Sequence, residues 1–294
     1  MRVRLFYARA AILGTLLASA ANAQEGWPVY GGDPGGQHYS ALTGINRANL
    51  WMLKKAWVYR TGDMAQGFAR KYNQTFEATP ILVEGRLYLS TGTNIVIALD
   101  PESGKEIWRH SAGLDPSAKY SEMTSRGVAS WVDANATPET SCRHRIFIGT
   151  LDGRLLALDG TTGHPCTDFG TGGEVNLRAD VRPTWPGLYQ ITSAPVIAGD
   201  LVISGSSIGD NTGVELEYGV VRALDVRTGK LVWKFDPIPR DPADPAHSAW
   251  KGDQAARTGA ANVWSTMSFD AARDLLFLPT SSPSPDFFGG ERLG

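Results

Sequence analysis

Reactive side chains are sparse in this chain, and their spacing narrows the chemistry they could do. Cys142 and Cys166 are the two cysteines. They lack the Cys-x-x-Cys spacing of a metal or thioredoxin-type site, so in an exported protein their expected use is one disulfide. It would close a loop of about 24 residues and stabilise by roughly 3–4 kcal/mol on the chain-entropy account. His38, His110, His144, His164 and His247 lie far apart without metal-ligand spacing and read as surface or turn residues. Most acids sit in Asp-Gly or Asp-Pro turns, so no carboxylate pair for glycoside hydrolysis stands out. Asp210-Asn211 follows Gly209, and Asp286 lies between Pro285 and a Gly pair. Both places offer hard oxygen donors, and both also read as ordinary turns or loop caps.

The elements that must position these residues are announced by a repeat. "IALDPESGKEIW" (97–108) returns as "RALDVRTGKLVW" (222–233), and more weakly as "LALDGTTGHPC" (156–166), with Thr167 where Trp would fall. Copies roughly 60 residues apart indicate a repeat architecture. Each phrase reads as a strand, an Asp and Thr/Ser-Gly hairpin turn, and a Trp placed to stack on a neighbouring unit, with Ala keeping the contact close. Strand-turn-strand patterns span 80–100, 145–159, 194–207, 219–236 and 265–281, with Asp152-Gly153 as a strong hairpin signal. The expected class is all-β. Short helices are expected only at 45–53 and 115–123. Three longer polar loops, 109–143, 160–190 and 237–261, separate the units; the last is too rich in Pro, Asp and Ala for a strand.

The first 24 residues, "MRVRLFYARAAILGTLLASAANAQ", combine early arginines, an apolar run and a small-x-small site at Ala21–Ala23. This is the pattern of a secretory signal (residues 1–23), too short and wrongly flanked for a membrane anchor, which implies a periplasmic location. Losing Arg2, Arg4 and Arg9 takes the formal net charge from −2 to −5. A mildly acidic chain without a Lys/Arg block is not expected to bind nucleic acid or a membrane surface. No Cys follows the apolar run, so a lipid anchor is not expected, and the mature chain (24–294) carries no membrane-span pattern.

Beyond the repeats, "WPVYGGDPGGQHYSALTGINRANLWMLKKAWVYRTGD" (27–63), "TFEATPILVEGRLYL", "TSRGVASW", "PGLYQITSAPVIAGDLVISGSSIGDN" and "NVWSTMSFDAARDLLFLPTSSPSPDFFGGER" together resemble the periplasmic PQQ-dependent (quinoprotein) dehydrogenases. The likeness is to the glucose/quinate dehydrogenase branch, and it holds order and spacing across essentially the whole mature chain. It implies an eight-bladed β-propeller of which about half the blades are present. It also implies PQQ with Ca²⁺ (or Mg²⁺), a small alcohol or sugar as substrate, and ubiquinone or a cytochrome as electron acceptor. Residue by residue, Trp264 matches the floor on which the planar cofactor stacks, and Arg126 a cofactor-contacting arginine whose guanidinium fork suits a carboxylate. Thr192 and Ser207 match hydroxyls that bond cofactor carboxylates, and Asp210 with Asn211 the cation site. Asp286 falls near another ligand or pocket position. Each has a plainer alternative: a packed core Trp, a structural ion pair, or hydroxyls and acids that merely close turns.

Two departures matter. Glu122 stands where the glucose branch has a substrate-facing His, and Ser125 where it has Cys, which leaves sugar preference open. The family's catalytic Asp, in a "HDLWDxD"-like phrase, is expected beyond Gly294, so no catalytic base is assigned within this chain. The expectation is therefore a partial quinoprotein chain whose activity alone is doubtful. The competing readings are a non-enzymatic propeller scaffold built on the same repeat and a remnant that binds cofactor without turnover.

Overall fold

The computed structural model describes residues 26–65, 67–68, 74–182 and 187–292. The secretory-signal region 1–23 lies outside them. Three four-stranded antiparallel sheets follow one another along the chain. The first holds β1 (Ile81–Val83), β2 (Arg86–Ser90), β3 (Ile95–Leu99) and β4 (Glu106–Ser111) in sequence order. The second holds β5 (Ala129–Val132), β6 (His144–Gly149), β7 (Arg154–Asp159) and β8 (Glu174–Asn176). In the third, β10 (Val196–Ala198), β11 (Leu201–Ser204), β13 (Val221–Asp225) and β14 (Leu231–Phe235) are consecutive, while β9 (Tyr189–Gln190) pairs separately with β12 (Ser207–Ile208). β15 (Ser268–Asp270) and β16 (Leu275–Phe277) form a further hairpin.

Up-and-down sheets whose strands are buried on both faces must stack side by side, and the cores show that they do. One core joins the first two sheets through Tyr88, Val96, Ile146 and Leu158. Another joins the second and third through Phe147, Leu155, Val202 and Leu224. A third lies between Ile203, Val221 and Val263 and the last hairpin. These are the blades of a β-propeller.

The repeat phrase now has a physical explanation. In each copy the Asp carboxylate accepts from a Ser or Thr backbone N–H three residues on: Ser103 at 2.7 Å, Thr162 at 2.9 Å and Thr228 at 2.7 Å. The Gly amide closes back on the Asp carbonyl in all three. The phrase's Ala lies cross-strand from its Trp, Ala98 opposite Trp108 and Ala223 opposite Trp233, which leaves the indole room. Trp108 then crosses to the next blade, where its Nε1 donates to the Gly160 carbonyl at 3.0 Å. A Cβ at Gly163 would lie 2.5 Å from that indole, so Trp packs directly on the neighbour's glycine turn. Trp57 does the same on Gly104 of the first blade. Where the weak copy has Thr167, the contact to the third blade is made by backbone instead, Gly170 N to Thr228 O at 2.9 Å.

The structure departs from the sequence reading in three places. The loop assigned to 109–143 contains β5, the first strand of its blade, and 160–190 contains β8 and β9. These strands are only 2–4 residues long and too short for a period-2 pattern to register. Residues 115–123 are not helical; Asp115 instead caps a turn, accepting from Ser117 N at 2.8 Å. In 45–53 only a 3₁₀ turn forms, Leu50–Met52. The loop 237–261 holds no strand, as expected, but carries a 3₁₀ turn, Pro245–Ala249, and α1 (Gln254–Arg257). Cys142 and Cys166 are disulfide-bonded with Cα atoms 5.8 Å apart, joining the β5–β6 connection to the turn after β7.

Candidate functional site

The residues singled out in the sequence come from five segments between or at the ends of strands. Arg126, just before β5, lies with its guanidinium 4.8 Å over the Trp264 ring. Its Nη1 donates to Thr192 Oγ1 at 2.8 Å and to the Trp264 carbonyl at 3.3 Å, and its Nη2 pairs with Glu77 at 2.9 Å. The Arg126 amide also donates to the Thr192 carbonyl at 2.9 Å. Trp264 is 40% exposed and thus is not a packed core residue, whereas Thr192 is fully buried. The alternative of a structural ion pair for Arg126 is half met, because Glu77 is its salt-bridge partner.

Ser207 sits on β12, buried and paired with Gln190 of β9. Gly205 makes the approach possible: a Cβ there would meet the Val263 carbonyl at 2.2 Å, so only glycine lets the 204–208 segment lie against 262–264. Asn262 locks the contact by donating to the Ser206 carbonyl at 2.8 Å. Beside these groups Thr124 Oγ1, Ser193 Oγ and Ser206 Oγ are buried with no hydrogen-bond partner. Orphaned buried hydroxyls are costly and rare. Here they lie in the chain next to or within two residues of Arg126, Thr192 and Ser207.

The acids form the other half. The Asp286 amide donates to the Asp210 carbonyl at 3.1 Å, and the Phe287 amide to Asn211 Oδ1 at 3.3 Å, which holds 210–211 against the 286–287 loop. Burial, then the neighbouring Asp286 and Glu122 carboxylates, push the Asp210 carboxyl above its usual range. A half-buried carboxylate with two further acids near it is a place a cation would relieve. Among the described residues, however, no group of three or more His, Cys, Asp or Glu is arranged to ligate a metal by itself. Two oxygen donors, Asp210 and Asn211, fit a hard divalent ion only if water or another ligand completes the set. A separate cavity of about 310 Å³, lined by Tyr30, Asp33, Ser130, Pro195 and Phe269 among others, includes none of these residues.

Arg126, Thr192 and Trp264 are thus in one contact group and Asp210, Asn211 and Asp286 in another, with Gln190 linking Ser207 to Glu122. Glu77, Gln190, Asn262 and the three orphaned hydroxyls were missed. All stand within phrases that carried the resemblance, but as generic polar residues whose partners lie as far as 69 residues away in the chain they carry no signal of their own.

Residues 27–294 match the family described as "PQQ: Glucose/ethanol/alcohol dehydrogenase, beta-propeller domain". The chain belongs to this PQQ dehydrogenase family. It is 38% identical to the quinoprotein glucose dehydrogenase of Escherichia coli over 96% of this chain and 36% of that protein. To the quinate/shikimate dehydrogenase (quinone) of Acinetobacter baylyi it is 39% identical over 92% of this chain and 34% of that protein. The PQQ dehydrogenase chain thus spans about a third of the length of these curated relatives. Among solved structures, quinohemoprotein alcohol dehydrogenase from Comamonas testosteroni superposes with a TM-score of 0.71 at 28% identity, covering 91% of this chain and 37% of its own. A europium-containing methanol dehydrogenase shares the fold at 24% identity, with a TM-score of 0.66.

Proposed function

We propose that this chain forms part of a periplasmic PQQ-dependent dehydrogenase that oxidises an alcohol, sugar or cyclitol and passes electrons to a quinone or cytochrome. The observation that carries the reading is the Arg126–Thr192–Trp264 cluster: a cation, a buried hydroxyl and an exposed aromatic face gathered beside orphaned hydroxyls. A planar, polycarboxylate quinone needs that combination. Trp264 supplies the stacking face, worth about 1 kcal/mol beyond its buried area. Arg126 would supply the cation for a carboxylate, with Glu77 as its ion-pair partner in this structure. Thr192 and Ser207 add hydroxyls, and those of Thr124, Ser193 and Ser206 supply hydrogen bonds that are otherwise unmade.

Asp210 and Asn211 would hold a Ca²⁺ ion, whose charge would offset the burial and the neighbouring acids that raise the Asp210 carboxyl. Bound PQQ supplies the two-electron, hydride-accepting chemistry. Glu122 and Asp286 face the same space as Asp210 and are the chain's candidates for contact with substrate. The export proposed from the first 23 residues agrees with the Cys142–Cys166 disulfide, which persists in oxidising compartments.

The test is titration of the protein with PQQ in the presence of Ca²⁺, followed by quenching of tryptophan fluorescence. Saturable quenching is expected, and Trp264→Ala should weaken binding about 10-fold, as loss of a stacked aromatic predicts. Unchanged affinity in that variant would remove Trp264 from the site, and no binding at all would sink the quinoprotein reading.

A further inference from the structure

The cavity of about 310 Å³ that stands apart from the candidate site is walled mainly by strand edges. Three of its walls are runs of consecutive residues, 128–130, 194–197 and 266–269, at and just before the starts of β5, β10 and β15. Successive side chains of an extended chain point to opposite faces, so a cavity touched by each residue in turn faces the strand's edge. Each of these strands is the first of its sheet and is paired on one side only. Three unpaired edges therefore converge on the cavity and offer it backbone carbonyls. The fourth wall is the loop 28–36. Trp27 ties that loop to β1, its amide donating to Leu82 O at 2.9 Å and its carbonyl accepting from Leu82 N at 2.8 Å. Gly31 packs on Gly36 so closely that a Cβ would lie 2.2 Å from the Gly36 Cα, which fixes the loop's shape.

Asp33, on this loop, accepts from the Gly35 amide at 2.7 Å through Oδ1, and no described Lys, Arg or His pairs with it. Among the residues around the cavity Asp33 alone carries a formal charge, and most of the others are apolar. We propose that this cavity is a second ligand site, for a small organic monocation with an apolar body and a protonated amine. An ammonium group has three N–H donors and no acceptor, which matches one carboxylate and the carbonyls of three strand edges. Tyr30 and Phe269 are also among the walls, and aromatic ring faces attract such a cation. Val29, Ile197 and Met267 leave apolar surface for the rest of the ligand. An anion of the same shape would meet the Asp33 charge with no cation to offset it, and a neutral alcohol would gain no charge-assisted bond.

The test titrates the 294-residue chain with 2-phenylethylamine and with its neutral counterpart 2-phenylethanol, without PQQ, at about pH 7 where the amine is protonated. Binding is read by NMR from ¹³C-labelled methionine methyl groups. Met267 lines the cavity, whereas Met123 lies in a separate core with Phe68 and Tyr120. The amine should shift the Met267 methyl resonance saturably, leave that of Met123 in place, and bind about 10-fold more tightly than the alcohol, the size of one charge-assisted hydrogen bond. Asp33→Asn keeps an acceptor for the Gly35 amide and removes the charge. It should weaken the amine about 10-fold and leave the alcohol within about twofold. Equal wild-type affinities for the two compounds, an amine affinity unchanged in Asp33→Asn, or a Met267 methyl that neither compound moves would overturn the proposal. No cofactor takes part, so the outcome does not depend on the quinoprotein reading of the other site.

Discussion

His144 shows how burial changes one residue's chemistry without giving it a catalytic role. It lies between the first two blades, 3% exposed, edge-on to the Tyr88 ring at 5.4 Å and bonded through Nε2 to Ser130 Oγ at 2.8 Å. Burial pushes its pKa down to about 4, although Glu84 nearby favours the charged form. A folded-state value below the unfolded one means that the unfolded chain binds the extra proton. The stability His144 contributes is therefore full above the ordinary histidine pKa and is lost as pH falls from about 6.5 to about 4, by about 3 kcal/mol in all. Urea midpoints measured across that range should fall more steeply in wild type than in His144→Gln. Equal slopes would show that the ring ionises freely in the folded protein. At the site itself the residue-scale lesson is similar: Trp264 and Arg126 matter through their exposure and mutual placement, which residue type alone does not reveal.

At the scale of elements, the blades are joined by tryptophan on glycine. Gly163 has φ +74° and faces the Trp108 indole at 2.5 Å from where a Cβ would stand. Gly199 has φ +59° in the β10–β11 turn with nothing within 4 Å. Both positions are left-handed, so an Ala at either costs about 1 kcal/mol in backbone strain. Gly163→Ala must also displace the indole, adding roughly 1–3 kcal/mol. Chemical denaturation should therefore place Gly163→Ala well below Gly199→Ala. Matching losses would mean that the inter-blade contact yields freely. The same elements explain the site: Ser207 begins β12, and Trp264, Thr192 and Arg126 lie within four residues of the end of a short strand, where the stacking of blades, not local sequence, sets their separation.

At the scale of the molecule, burial is uneven. The interfaces between blades are closed, but β14 exposes Leu231, Val232 and Phe235, and β16 exposes Leu275 and Phe277. Phe287 is 89% exposed and Trp51 80%, and the 39–58 segment adds Tyr39, Leu42, Ile45 and Leu53. So many large apolar side chains left exposed is uncommon on a soluble monomer. The 294-residue chain, prepared by itself, should bind a hydrophobic dye under native conditions and sediment faster as concentration rises. A dye-silent monomer over the micromolar range would show that these faces are covered in solution.

The all-β class, the repeat and its hairpin turns were legible in the sequence, because Asp with Thr/Ser-Gly encodes a turn locally and the Ala and Trp of each phrase recur at fixed spacing. The cysteine pairing was legible too, since two residues leave one intramolecular choice. Arg126, Thr192, Ser207 and Trp264 could be named from phrases they share with a family, but not from their own chemistry. Tertiary structure decided the rest. It made Trp264 an exposed face under a guanidinium, set Asp286 and Glu122 near the half-buried Asp210, and turned Gln190 into a bridge to Glu122. Such contacts join residues 66 to 138 positions apart, and they exist only once whole blades have packed. A turn needs four residues, whereas a site between blades needs the cores that hold those blades together.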